Sequence, residues 1–121
     1  MEGIKMEDAD VKKIETIIQD RKHAHGFYSE KSPVYRAFTR MEEAAFADGE
    51  LSKGHKELIA IGISAVINCE SCLEWHIKQA LDAGMTKEQI IESIGVGIEM
   101  GGGPATVSSR FAMKVLSYYD E

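Results

Sequence analysis

Cys69-Glu70-Ser71-Cys72-Leu73-Glu74-Trp75-His76 gathers both cysteines of the chain and one of its four histidines into eight residues. Two thiols with two residues between them can cycle between dithiol and disulfide, or they can hold a metal ion. A histidine four positions on can move their proton. A glutamate, Glu57, stands twelve residues before Cys69. If a helix starts near Asn68, Cys69 and Cys72 are related as i and i+3, and Cys72 and His76 as i and i+4. At about 100° per residue the three side chains fall within an arc of roughly 60° on one face. The cysteines then lie in the first turn, where unpaired N–H groups and the helix dipole favour a thiolate over a thiol. The same spacing lets the two sulfurs meet as a disulfide.

Each of these residues also has a plainer reading. The thiols could be buried and inert, His76 an ordinary helix histidine, and Glu57 a solvated charge. Cys69, Cys72, His76 and Glu57 form an acceptable zinc set, although three ligands within three turns of one helix make a crowded tetrahedral site. His55 is two residues from Glu57 and could assist it, but a surface position is the default. His23 and His25 precede Gly26 and read as residues at a helix C-terminus. Trp75 reads as a packing or interface residue.

The elements that must place these groups are helical. No stretch alternates with period 2 for long, whereas helical spacing recurs throughout. Val11, Ile14, Ile17 and Ile18 form a stripe over roughly residues 7–24. Ser32-Pro33 is a cap followed by proline at the first helical position. Val34, Phe38, Met41 and Ala45 then recur at helical spacing until Gly49. Ser52 caps a third helix over roughly 53–67, apolar on most sides and so expected to be central. Asn68 is expected to break it and cap a fourth helix that runs from the cysteines to about Ala83, with Gly84 as a C-terminal stop. Thr86 and Gln89 make a capping box for a fifth helix. After Gly101-Gly102-Gly103-Pro104 a sixth carries Val107, Phe111, Val115 and Leu116 to Tyr118-Tyr119. Gly95, Gly97 and Gly101 are costly in a helix, at about 1 kcal/mol each relative to alanine. They point either to a close approach of helix backbones or to a frayed helix end.

If helices three and four pack antiparallel, the part of the third nearest the cysteines is around residue 65. Twelve residues of helix span about 18 Å. Glu57 therefore reaches the cysteines only if the connection re-aims the fourth helix, or if another subunit supplies it.

The chain has 121 residues, enough for one domain with a real core. Hydrophobic residues are 44% and charged residues 28%, ordinary for a globular protein. The net charge of −6 and the lack of a basic cluster argue against nucleic acid or an anionic membrane surface as partners. The N-terminus is acidic and has no apolar segment of the signal-peptide kind. The longest apolar run, Leu58 to Ile67, is too short to span a bilayer. The expected location is the cytoplasm, where a close cysteine pair is catalytic or metal-binding rather than a staple.

The whole pattern resembles the AhpD-like alkylhydroperoxidases of the carboxymuconolactone decarboxylase superfamily. The resemblance rests on Glu57, eleven residues, Cys69, two residues, Cys72, three residues and His76. It continues in Lys56-Glu57-Leu58-Ile59-Ala60, in His76-Ile77-Lys78-Gln79-Ala80-Leu81-Asp82-Ala83-Gly84, and in Thr86-Lys87-Glu88-Gln89-Ile90. It covers about residues 33–118, leaving 1–30 as a helical extension of a single 1–121 domain. It implies an all-helical bundle of about six helices that assembles as a homo-oligomer, a trimer or hexamer. It implies a dithiol/disulfide cycle with no metal and no cofactor. In that cycle Cys72 attacks a hydroperoxide or disulfide substrate, Cys69 resolves, Glu57 and His76 relay protons, and an external dithiol donor restores the pair. The decarboxylases that name the superfamily lack this cysteine pair. One position departs from the pattern: the peroxidase members carry a histidine directly before the second cysteine, and this chain has Ser71. Serine donates a hydrogen bond but does not titrate near neutral pH, which weakens the proton relay but not the dithiol chemistry. The alternatives are a non-enzymatic redox- or metal-responsive helical module and a disulfide reductase without peroxidase activity.

Overall fold

The computed structural model describes residues 4–120; the ends of the expected 1–121 range, residues 1–3 and 121, lie outside it. Among the described residues there are six helices and no strand. They are α1 (Asp8–Lys31), α2 (Pro33–Phe46), α3 (Lys53–Val66), α4 (Glu70–Asp82), α5 (Lys87–Gly101) and α6 (Gly103–Tyr118). The all-helical fold expected from the sequence is the one observed.

Local chemistry sets most of the helix ends. Ser32, Ser52 and Thr86 each accept a backbone N–H of the first turn, from Tyr35, His55 and Gln89 respectively. Thr86 and Gln89 complete the capping box reciprocally. Two boundaries differ from the sequence reading. α1 runs on to Lys31 instead of stopping near residue 24. A lone Gly26 weakens a helix without ending it, whereas the residue before Pro33 is driven out of helical conformation, and Ser32 is extended. His23 and His25 therefore lie more than a turn inside α1, and His25 Nδ1 meets the Tyr35 hydroxyl at 3.0 Å. Asn68 is not the cap of α4. It takes a left-handed conformation (φ 54°) that turns the chain, and Cys69 is the cap.

The core is built from Ile14 of α1, Ile61 of α3, Leu73, Ile77 and Ala80 of α4, Ile90 and Ile94 of α5, and Phe111, Ala112, Val115 and Leu116 of α6. Burying each of the large side chains contributes about 1.5–3 kcal/mol. α3 lies between α4 and α5 and also touches α6, so the expectation that it is central holds. Its Ile59 and Ile63 nevertheless remain exposed. α2 contributes no buried residue. Its apolar stripe has the helical spacing read from the sequence, but Val34 is 80%, Phe38 53% and Met41 60% exposed.

The glycines of α5 divide. A Cβ on Gly97 would lie 2.6 Å from the Gly62 carbonyl oxygen of α3, so the two backbones meet there and no side chain fits. A Cβ on Gly95 would meet nothing within 4 Å. Close approach of helices is thus the reason for Gly97 and not for Gly95, and α5 does not fray before Gly101.

No helix among the described residues is long and apolar enough to cross a membrane.

Candidate active site

α3 and α4 form an antiparallel hairpin about the tight turn at Asn68. The Cys69 N–H donates to the Ser64 carbonyl at 3.1 Å, so the cysteines face the last turns of α3, as the spacing predicts. Glu57 and His76 lie further down the hairpin, on its two facing helices. They meet directly, with His76 Nδ1 2.7 Å from Glu57 Oε1. Glu57 therefore joins the site through His76 and within one chain. No re-aimed helix and no second subunit is needed for this contact.

Cys69 and Cys72 are joined as a disulfide at the start of α4 and are half-buried. Cys69 Sγ accepts the Cys72 N–H at 3.2 Å, the place a serine or aspartate oxygen takes in an ordinary helix cap. A cap acceptor is favoured when it carries negative charge, so this contact stabilises a Cys69 thiolate once the disulfide opens. Cys72 lies one turn before His76 on the same helix, and side chains at i and i+4 are neighbours.

The histidine is held on three sides. Its side chain is 14% exposed and that of Glu57 is 2% exposed. Phe46, the last residue of α2, stacks on the imidazole with centroids 5.3 Å apart and planes 25° apart. Lys53, one turn before Glu57, donates to Glu57 Oε2 at 2.7 Å and reaches Gln79 Oε1 at 3.4 Å. Burial pushes the Glu57 carboxyl up, but the hydrogen bonds from His76 and Lys53 and the charges behind them outweigh it. The carboxyl is held below the usual glutamate range and remains ionised. An ionised Glu57 fixes the imidazole with Nδ1–H toward the carboxylate, which leaves Nε2 as the proton acceptor.

A second set of contacts reaches the cysteine turn from α1. Arg21 Nη2 donates to the Ser71 carbonyl at 3.0 Å and to its hydroxyl at 3.2 Å. Arg21 Nη1 is 2.6 Å from Oε1 of the buried Glu74, at ion-pair distance but off hydrogen-bond alignment. The Tyr119 hydroxyl donates to the other Glu74 oxygen. Burial and this bond to a carboxylate push the Tyr119 hydroxyl well above its ordinary pKa. Trp75 is partly exposed and carries the Arg21 guanidinium over its ring at 5.2 Å.

Of the residues singled out by sequence, Glu57 meets His76, Cys69 is joined to Cys72, and Cys72 precedes His76 by one turn of α4. His55 turns away and bonds the Ser52 hydroxyl at 2.8 Å. Among the described residues no three His, Cys, Asp or Glu side chains converge as a metal-binding group. Sequence reasoning missed Lys53, Phe46 and Arg21. Only Lys53 carried a usable signal, since Lys53 and Glu57 have the i, i+4 spacing of a helix ion pair.

Residues 32–114 match the carboxymuconolactone decarboxylase family. An uncharacterized protein of Cupriavidus necator is 40% identical over 84 residues, covering 69% of this chain and 72% of that protein. An uncharacterized protein of the cox locus of Paracoccus denitrificans is 42% identical over 84 residues, covering 69% and 76%. A carboxymuconolactone decarboxylase family protein from Legionella pneumophila superposes with a TM-score of 0.83 at 27% identity, over 90% of this chain and 98% of that one. A Thermotoga maritima protein shares the fold, with a TM-score of 0.79 at 22% identity over 85% of this chain and 91% of that one. Sequence match and fold lead to one assignment: the chain belongs to the carboxymuconolactone decarboxylase family.

Proposed function

We propose that the protein is a thiol–disulfide oxidoreductase that reduces hydroperoxides or disulfides with Cys69 and Cys72. The observation that carries this reading is a half-buried cysteine pair one turn from a histidine anchored to a buried, ionised carboxylate. The Cys72 thiolate attacks the terminal oxygen of a hydroperoxide. The O–O bond breaks, the alcohol leaves with a proton relayed by His76, and Cys72 becomes a sulfenic acid. The Cys69 thiol then attacks that sulfur, water leaves, and the disulfide forms. An external dithiol closes the cycle by becoming a disulfide itself, returning two electrons and two protons to the pair. The donor attacks Cys72 and expels Cys69, because the capping N–H stabilises the departing Cys69 thiolate. With a disulfide as substrate the reduced pair reacts by exchange through a mixed disulfide. Ser71 favours this second substrate class, since exchange makes no use of a titrating group before Cys72. The cytosol, with its thiol donors, is the compartment that suits such a cycle.

The test is a thiol count of the reduced protein before and after one equivalent of hydrogen peroxide, with metal assayed on the same sample. The expected result is loss of both thiols, recovery with dithiothreitol, and no metal. Two thiols unchanged by peroxide and by a small disulfide, or one zinc per chain, would overturn the proposal.

The proposal includes assembly into a homo-oligomer, a trimer or hexamer. The chain exposes 7668 Å², against about 6,500 Å² for a compact monomer of this mass. The excess is of the order of what one subunit buries in a standard interface, about 800 Å². Much of the exposed apolar surface lies on two faces: the α2 stripe, and a groove of about 780 Å³ between α3 and α5 whose lining includes Ile59, Ile63, Val96 and Met100. The groove does not reach the cysteines, so its occupant is read as a second copy of the chain and not a substrate. Light scattering should give a mass several times 13.4 kDa, and Val34→Asp with Phe38→Asp should lower it. A monomer at every concentration would overturn the assembly.

A further inference from the structure

We propose that Arg21 is a positioning residue of the redox pair, clamping Ser71 between the two thiols and biasing the pair toward its reduced form. The proposal rests on the reading of Cys69 and Cys72 as a redox pair. Arg21 comes from α1, upstream of the segment matched to the family. One guanidinium nitrogen holds the carbonyl and hydroxyl of Ser71, directly before Cys72. The other is at ion-pair distance from Glu74, and Glu74 accepts the Tyr119 hydroxyl from the end of α6. Three elements thus fix the position of this cation beside the first turn of α4. Arg21 is suited to the role because its planar fork addresses two partners at once and stays charged at any working pH.

The direction of the effect follows from charge. A disulfide is neutral, whereas the reduced pair carries a thiolate. A cation at the turn therefore stabilises the dithiol state, and the neighbouring Glu74 carboxylate opposes it. The other charged group at this end of α4 is Glu70, paired with Lys13 at 3.0 Å; Lys78, toward the far end of the helix, pairs with Asp82 at 2.7 Å and lies over the Tyr119 ring. His76 follows one turn after Cys72, with Glu57 and Lys53 of α3 behind it. None of these others bonds Ser71. Removing Arg21 withdraws the cation and at the same time leaves Glu74 unmasked, so both changes push toward the disulfide. Removing the Glu74 charge while keeping Arg21 pushes the other way. A purely structural network would not give opposite signs, because breaking either partner loosens the same contacts.

The experiment is equilibration of the full chain in dithiothreitol redox buffers at fixed pH, with the dithiol fraction counted by thiol labelling. Arg21→Met is expected to shift the dithiol/disulfide equilibrium about tenfold toward the disulfide, which corresponds to about 30 mV. Glu74→Gln is expected to shift it several-fold toward the dithiol. The double variant should return close to the parent, and because it removes both charges together it guards against a single variant that fails to fold. Arg21→Lys, which keeps the charge and loses the fork, should fall between parent and Arg21→Met. Equal equilibria in all variants, or shifts of one sign that follow thermal stability, would overturn the proposal while leaving the redox reading intact. A parent pair that does not interconvert at all would overturn both.

Discussion

Cys72→Ser is expected to abolish turnover with both hydroperoxide and disulfide substrates, a loss of about a thousandfold or more, because a serine hydroxyl has no accessible anion near neutral pH. The contrast with Cys69→Ser is the informative part. That variant keeps the attacking sulfur and loses the resolving one. It should consume one equivalent of peroxide in a single turnover and stop at the sulfenic acid, which a dimedone-type probe would trap. With a disulfide substrate it should stop at the mixed disulfide, visible by mass. If the roles are reversed, Cys72→Ser is the variant that gives the trapped species and Cys69→Ser is inert. The structure makes the question sharp, because it gives the two sulfurs unlike surroundings. Cys69 caps the helix and accepts a backbone N–H, whereas Cys72 is the sulfur one turn from the anchored histidine. Steady activity in Cys72→Ser would end the dithiol mechanism.

The second large effect concerns Glu57. Glu57→Gln removes the charge that orients His76 and leaves Lys53 without its carboxylate partner. Turnover should fall about a hundredfold, at the low end of what a positioned acid–base group contributes. Stability should fall by about 1–3 kcal/mol, since Lys53 is 40% exposed and regains water while the buried end of the contact does not. The pH dependence carries a sign. The folded-state pKa of Glu57 lies below its unfolded value. The stabilisation from its ionised form is therefore present in full above an unfolded pKa of about 4.3 and is lost as pH falls through the lower native value. The parent should thus lose stability across that acid window more steeply than Glu57→Gln. Urea melts between pH 3 and pH 7 would show the two curves converging as pH falls. Parallel curves would mean that folding does not lower the pKa of Glu57.

The helices were legible because their signals are local. Serine before proline, serine or threonine three residues before an N–H it can accept, and apolar residues at helical spacing act over one or two turns of chain. The same locality explains the misreadings. Gly26 looked like a stop because glycine costs helix stability, yet its cost is small beside the rest of a 24-residue helix. Asn68 looked like a cap because its side chain suits one. Once the chain turns in a left-handed residue at Asn68, the next residue, Cys69, takes the capping place, and its sulfur does what an oxygen would. The stripe on α2 was legible as a stripe, but periodicity reports that a face is apolar and not what covers it.

By itself the sequence determined which groups are capable of chemistry, that the two cysteines and His76 share one helix, and that the chain is all helical. It determined these because they depend on spacing along a single element. What only the tertiary structure decided is who meets whom between elements. Glu57 meets His76 and not the cysteines, because both lie well down an antiparallel hairpin whose turn carries the cysteines. Phe46 covers the imidazole and Lys53 completes the carboxylate, because α2 ends and α3 begins beside α4. Arg21 reaches across 50 residues of chain to the peptide between the two thiols. No spacing rule encodes that contact, because it exists only after α1, α4 and α6 have packed around one core.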